Sequence, residues 1–314
     1  MKYGFGVDLG GTTVKLAFFD EAGTLLDKWE IPTDTADSGS RILPDIADAL
    51  QSFIAKKNLS RESLLGIGIG VPGPVSADGT VNRCVNLGWG VFNIEKTLGS
   101  LTGLPVKAGN DANVAALGES WLGGGKGCKN VVMATLGTGV GGGVICDGQI
   151  VCGAHGAAGE IGHMVINREE TEPCGCGKRG CVEQYCSATG VVRVTKRVLA
   201  ADPAPSCLRQ NPEFTCKDVF DAAKAEDPLA LKALDQVYAY MGEFLANLCC
   251  VINPEVVVLG GGVSKAGATL LTGIKGYFEK DVFHAARNTR FALATLGNDA
   301  GAYGAFKLIL DATA

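Results

Sequence analysis

Tyr3-Gly4-Phe5-Gly6-Val7-Asp8, followed by Leu9-Gly10-Gly11-Thr12-Thr13 and then Val14-Lys15-Leu16-Ala17-Phe18-Phe19-Asp20, is the stretch on which the fold turns. An apolar run, a glycine turn and a second apolar run predict two strands, over 3–8 and 14–20, joined tightly. The theme returns about 130 residues later. There an apolar run over 130–136 meets Gly137-Thr138-Gly139-Val140-Gly141-Gly142-Gly143, and a further strand is expected over 144–150. The repetition lies in pattern more than in identity, which points to an ancient duplication rather than a repeat array.

Outward from these two turns, strands alternate with helices. A third strand is expected over 24–31, and a helix over 38–58 carries Ile42, Ile46, Leu50, Phe53 and Ile54 at helical spacing. The continuous apolar run 64–71 reads as a strand covered on both faces. A strand over 106–108 and a helix over 112–122 follow. The second half predicts helices over 182–201, 216–225, 228–251, 264–281 and 300–310, with strands over 255–259 and 290–296. This alternation indicates an α/β fold. The expected division is a small N-terminal domain over 1–115 and a large domain over 116–297. The last helix, within 298–314, is expected to pack back on the first domain, because Gly301-Ala302-Tyr303-Gly304 is small enough for close contact with a sheet.

Composition excludes several classes of function. The 314 residues are 46% hydrophobic, enough for a large core, and carry 28 Lys+Arg against 33 Asp+Glu, a net charge of −5. Without a basic surplus to grip phosphodiesters, nucleic acid is not an expected partner. No apolar run reaches the ~18 residues of a membrane span, and no signal-peptide pattern precedes Tyr3, so the expectation is a cytoplasmic protein with no membrane partner. The 45 glycines cluster at turns, as backbone-built sites require, and the 12 cysteines in such a chain argue for metal ligands or small buried side chains before disulfides.

Three glycine turns are candidate phosphate sites. Asp8-Leu9-Gly10-Gly11-Thr12 sets amides and a hydroxyl beside a carboxylate able to hold Mg²⁺ through water, with Lys15 on the next strand. Gly137–Gly143 repeats those features around Thr138 and Gly139. Leu259-Gly260-Gly261-Gly262-Val263-Ser264 is expected between a strand and a helix N-terminus, where amides and dipole favour an anion or nucleotide. Asp111, after Gly109-Asn110, reads either as a helix N-cap or as a general base whose direction the helix start fixes. Cys174-Gly175-Cys176-Gly177-Lys178-Arg179-Gly180-Cys181 places three thiols in eight positions. With His163 as fourth ligand they would form a closed, structural Zn²⁺ site that orients Glu160 and Glu183 toward a common cavity. The other nine cysteines are expected as core fillers, and Glu169, Glu170 and Glu172 as a solvated acidic run.

Taken together, these motifs resemble the ROK family of repressors, open-reading-frame proteins and kinases, and within it the ATP-dependent glucokinase branch. The stretches that carry the resemblance are Asp8–Thr12, Gly109-Asn110-Asp111-Ala112-Asn113, Leu136–Gly143, Gly156-Ala157-Ala158-Gly159-Glu160-Ile161-Gly162-His163, Cys174–Glu183 and Leu259–Ser264. The resemblance implies two ribonuclease-H-like domains of the actin/hexokinase type around an interdomain cleft, and ATP-dependent phosphorylation of glucose at its 6-hydroxyl. Asp111 corresponds to the catalytic base. Asn110, Glu160, His163 and Glu183 correspond to contacts with sugar hydroxyls, so His163 serves both zinc and sugar. Asp8 with Mg²⁺, Gly10, Gly11, Thr12, Thr138 and Gly139 correspond to phosphate contacts, and Gly261 and Gly262 to positions near the adenosine. Homodimers or homotetramers are common in the family. The repressor branch carries a DNA-binding domain ahead of the first glycine turn, and no such segment precedes Asp8 here. Open alternatives are a kinase for fructose, allose, N-acetylmannosamine or another N-acetylhexosamine, polyphosphate or ADP as donor, and a sugar sensor without catalysis.

Overall fold

The computed structural model describes residues 1–313 and resolves the chain into two compact units. The first holds β1 (Tyr3–Leu9), β2 (Thr13–Asp20), β3 (Leu25–Pro32), the helical turn α1 (Ala36–Gly39), α2 (Ile42–Lys56), β4 (Leu64–Val71), the short pair β5 (Thr80–Val81) and β6 (Phe92–Asn93), α3 (Ile94–Thr102), β7 (Val106–Asn110) and α4 (Asp111–Leu122). Its sheet runs β3-β2-β1-β4-β7. β1 is antiparallel to β2, with Asp8 opposite Lys15, and parallel to β4, which is parallel to β7.

Alternation along β1 and β2 gives this sheet two buried faces. Phe5, Val7, Leu16 and Phe18 meet Ile42, Ile46 and Leu50 of α2 on one side. On the other, Ala17 and Phe19 meet Ala302, Phe306 and Ile309 of the C-terminal helix, Ala300–Ala312. That helix lies directly on the strands, and a Cβ at Gly68 would stand 1.6 Å from the Ala305 carbonyl oxygen. Glycine there is a condition of the contact.

The second unit contains β8 (Val131–Leu136), the start of β9 (Val140–Cys146), α5 (Glu183–Cys186), α6 (Ala188–Ala201), α7 (Cys216–Lys224), α8 (Pro228–Ile252), β11 (Val256–Gly260), α9 (Ala268–Asp281) and β12 (Arg290–Leu293). With β10 (Gln149–Ile150) the strand order is β10-β9-β8-β11-β12. Both sheets therefore read third, second, first, fourth, fifth in chain order, so the likeness seen in the two glycine turns extends to topology. Val191, Val194 and Val198 of α6 and Leu234, Val237, Phe244 and Leu245 of α8 pack into one core with Val132, Val257 and Leu259.

Several details depart from expectation. The first unit extends to Gly127 rather than 115, takes back Gly143–Gly159, and resumes at Thr295. The reason is that α4 packs along the C-terminal helix (numbered α10) and so stays with the first sheet. The helix over 182–201 is two helices: Ser187 is extended, and its hydroxyl caps α6 by accepting from Gly190 N–H at 2.9 Å. The helix over 264–281 begins only at Ala268, after a 3-10 turn (Val263–Ala266) and Gly267 at φ +65. Gly260–Gly262 therefore does not open an α-helix, and the dipole argument for an anion there fails. Helix α3 has no counterpart among the sequence expectations.

Candidate active site

In the first unit, the β1–β2 turn is closed by Gly10 N–H donating to Thr13 O at 3.0 Å and anchored to β3 by Thr33 Oγ1–H donating to Gly10 O at 2.7 Å. Asp8, at the end of β1, is brought to Lys15 by the strand register. Lys15 Nζ lies 3.3 Å from Asp8 Oδ2 and donates to Asn298 O at 3.0 Å. The start of α10 presses on the same carboxylate: a Cβ at Gly301 would stand 2.6 Å from Asp8 Cγ. Asp8, Gly10, Gly11, Thr12 and Lys15 thus form one corner.

Asn110 and Asp111 sit where β7 becomes α4. The capping role suggested for Asp111 belongs to Asn110, whose Oδ1 accepts from Asn113 N–H at 3.1 Å while its Nδ2 donates to Gly73 O at 3.2 Å. Asp111 is instead the first residue of the helix. Its Oδ1 accepts from Ala112 N–H at 2.8 Å.

In the second unit, the turn after β8 meets the end of β11. Gly261, at φ +82, has a backbone that only glycine adopts without strain, and a Cβ there would lie 2.5 Å from Leu136 O. Gly261 and Gly262 are thereby set beside Gly137-Thr138-Gly139. A Cβ at Gly139 would fall 2.7 Å from Glu183 Oε2, and Thr189 Oγ1–H donates to Thr138 O at 2.7 Å, so the start of α6 and Glu183 join the same turn. Next to Gly262 opens a cavity of about 450 Å³ lined by Ala188, Thr215, Phe220, Lys224, Gly262 and Lys265. Its α7 residues lie far from the glycines in sequence, and nothing in the sequence announced them.

His163, Cys174, Cys176 and Cys181 offer ligand atoms that all lie within 4.8 Å of one another. Cys176 Sγ and Cys181 Sγ are 3.6 Å apart, and Cys174 Sγ is 3.8 Å from His163 Nδ1. A tetrahedral ion with ~2.3 Å Zn–S bonds separates its sulfurs by about 3.8 Å, so the donor set fits Zn²⁺. Burial pushes the Cys174 and Cys181 thiols up, whereas the Lys178 N–H lowers Cys176. Glu183 Oε1 lies 3.6 Å from His163 Nδ1 and 2.8 Å from Cys174 Sγ, and Glu160 Oε2 lies 3.9 Å from His163 Nε2. The three expected sugar contacts of this unit are therefore one cluster around the His163 ring.

Glu170 is not part of a solvated run, since its side chain is 1% exposed. Arg197 donates to it twice, at 2.8 and 2.9 Å, and Tyr185 O–H at 2.5 Å. Arg193 Nη2 lies 3.1 Å from Glu170 and 2.7 Å from Glu172, near enough for ion pairing but off the hydrogen-bond direction. These contacts bind the cysteine loop to α6, on which Arg193 and Arg197 lie one helical turn apart on the same face. Of the nine cysteines outside the cluster, Cys84, Cys186 and Cys249 are buried as expected of core fillers. Cys207 and Cys250 are exposed, because each falls on the outer side of its segment.

Residues 4–312 match the sequence profile of the ROK family. The chain is 48% identical over 304 residues to a glucokinase of Halalkalibacterium halodurans, covering 95% of this chain and 92% of that one. It is 32% identical over 312 residues to an N-acetylgalactosamine kinase of Shewanella, covering 96% and 94%. Among solved structures, a ROK family glucokinase from Streptomyces griseus, in complex with glucose and AMPPNP, superposes with a TM-score of 0.72 at 32% identity over 98% of each chain.

Proposed function

Because the chain belongs to the ROK family, we propose that it transfers the terminal phosphoryl group of ATP to the 6-hydroxyl of glucose. The observation that carries the choice of sugar is the 48% identity to a glucokinase over nearly the whole chain. Asp111 is the base. As the O6–phosphorus bond forms and the bond from phosphorus to the β-phosphate oxygen breaks, its carboxylate takes the hydroxyl proton and ADP leaves. Asn110, Glu160, His163 and Glu183 hold the ring hydroxyls, carboxylates being suited to accept from neighbouring O–H groups.

The phosphates fall to Gly10, Gly11, Thr12 and Lys15 from one turn and to Thr138 and Gly139 from the other. The adenosine falls to the cavity beside Gly261 and Gly262. Asp8 would hold Mg²⁺, which would neutralise charge on the phosphates, and Lys15, 3.3 Å from Asp8, would add a second positive charge beside them. His163 Nδ1 and the three thiolates would hold a structural Zn²⁺. Such an ion would fix the tautomer and ring orientation of His163 and leave Nε2 for the sugar.

The test is an ADP-release assay with Mg-ATP across glucose, mannose, fructose, allose, N-acetylglucosamine, N-acetylgalactosamine and N-acetylmannosamine. The expected result is the highest kcat/KM for glucose. A higher value for an N-acetylhexosamine would favour the second reading, which the 32% identity to an N-acetylgalactosamine kinase supports. Silence on every sugar with a folded protein would overturn the kinase reading with ATP as donor.

A further inference from the structure

Asp111 opens α4, and what fixes the rest of that 12-residue helix plays no part in the chemistry above. Glu119, about two turns further along, is fully buried. A carboxylate withdrawn from water is costly unless its lone pairs find donors. Here three main-chain N–H groups supply them. Glu119 Oε1 accepts from Leu296 N–H at 2.8 Å, and Oε2 from Gly124 N–H at 2.8 Å and Thr295 N–H at 3.0 Å. Its own carbonyl accepts from the N–H groups of Gly123 and Gly125.

These donors share one property. The chain leaves the first unit after Gly127 and rejoins it at Thr295, so Glu119 grips the first unit's end of both linkers. The remaining two crossings also rest on α4. Gly143, where the chain re-enters, is packed so closely that a Cβ would stand 2.4 Å from Ala116 Cβ. Asn113 Nδ2 donates to Ala158 O at 3.5 Å, one residue before the exit at Gly159. All four crossings are therefore seated on the helix that presents the base.

We propose that Glu119 is a positioning residue for phosphoryl transfer: its carboxylate locks the two linkers to α4 and thereby fixes the direction in which Asp111 is held. The proposal rests on Asp111 being the base. An apolar side chain could fill the same space, but it would leave all three N–H groups without an acceptor, and only a carboxylate satisfies all three: Oε2 bridges the two linkers through Gly124 and Thr295, and Oε1 adds Leu296. A glutamine keeps the shape and offers one acceptor oxygen, while its NH₂ group faces main-chain N–H. The helix then loses one anchor and Asp111 drifts. A misplacement of ~1 Å at a reacting group costs on the order of 100-fold in rate.

The decisive experiment compares wild type and E119Q by three readouts: kcat at saturation, and the Kd of glucose and of a non-hydrolysable ATP analogue, each measured alone by calorimetry. The expected result is kcat lowered at least about tenfold with both Kd values within about twofold of wild type, since the contacts to each ligand are untouched. Equal kcat overturns the proposal, and so does a parallel loss of kcat and both affinities, which marks general loosening. Wild-type inactivity on every sugar would instead sink the kinase reading and is seen before the variant is measured. If E119Q does not fold, hydrogen exchange on the wild type decides. The Gly124, Thr295 and Leu296 amides must be among the slowest in the chain and unchanged by glucose; fast or glucose-sensitive exchange there overturns the clamp.

Discussion

At the scale of single residues, position within a motif said less than the partners each side chain finds. Asn110 and Asp111 are adjacent, and both types cap helices. Only the structure shows that Asn110 takes the cap with its Oδ1 while Asp111 enters the first turn. This division of labour supports the base. Asp111→Asn keeps the size of the side chain and the cap beside it. Glucose affinity should stay within about threefold of wild type while kcat falls at least about 100-fold, the scale of a lost general base. Calorimetry and the coupled assay on the same preparation check both halves, and undiminished turnover would remove Asp111 from the mechanism. Glu119 and Glu170 were illegible for a different reason. Each carboxylate is buried among partners distant in sequence, Thr295 and Leu296 for one and Arg197 for the other, and no local pattern encodes such pairings.

At the scale of elements, the legible features were those with a period or a turn. The paired strands around both glycine turns, helices α2 and α8, and the cysteine loop all follow from local spacing. The break at Ser187 and the late start of α9 do not, because they are set by a single extended residue and by Gly267 at φ +65. The cysteine loop itself is held twice, by its donor cluster and by Glu170 against α6. Arg197 and Tyr185 beside Glu170 hold its carboxyl far below the usual value of 4.5. A depressed carboxylate stabilises the fold in full above its unfolded value and loses that contribution as pH falls through the folded one. Melting temperature should therefore be flat from pH 7 to about 5 on account of this group and decline below about 4.5. Glu170→Gln should remove that part of the acid decline and cost ~2 kcal/mol at pH 7. This is below the range for a fully buried pair, because Arg197 is 42% exposed. Thermal melts of both proteins at pH 7, 5 and 4 test it; parallel curves would show that Glu170 contributes nothing to the acid limb.

At the scale of the whole molecule, the duplicated strand order is the deepest regularity. It was visible in sequence only as two glycine turns, because the sheets share topology while their helices and inserted loops differ. Each unit buries its own core. Phe5, Leu16, Ile46 and Phe306 lie in the first, and Val191, Val237, Phe244 and Ile274 in the second. The metal ligands belong to the second alone. A bound ion that joins His163 to Cys181 stabilises only the state in which that segment is folded, so its removal acts on the second unit's stability and leaves the first unit's core intact. Calorimetric scans with and without a zinc chelator should therefore show one transition moving down while another stays in place. For a unit of this size, losing ~2 kcal/mol shifts the midpoint by roughly 4–8 °C. Cys181→Ser should produce the same one-sided shift and abolish any further effect of the chelator. If chelation moves no transition, and the serine variant melts like wild type, the cluster has no structural role and the orientation of His163 must come from Glu160 and Glu183 alone.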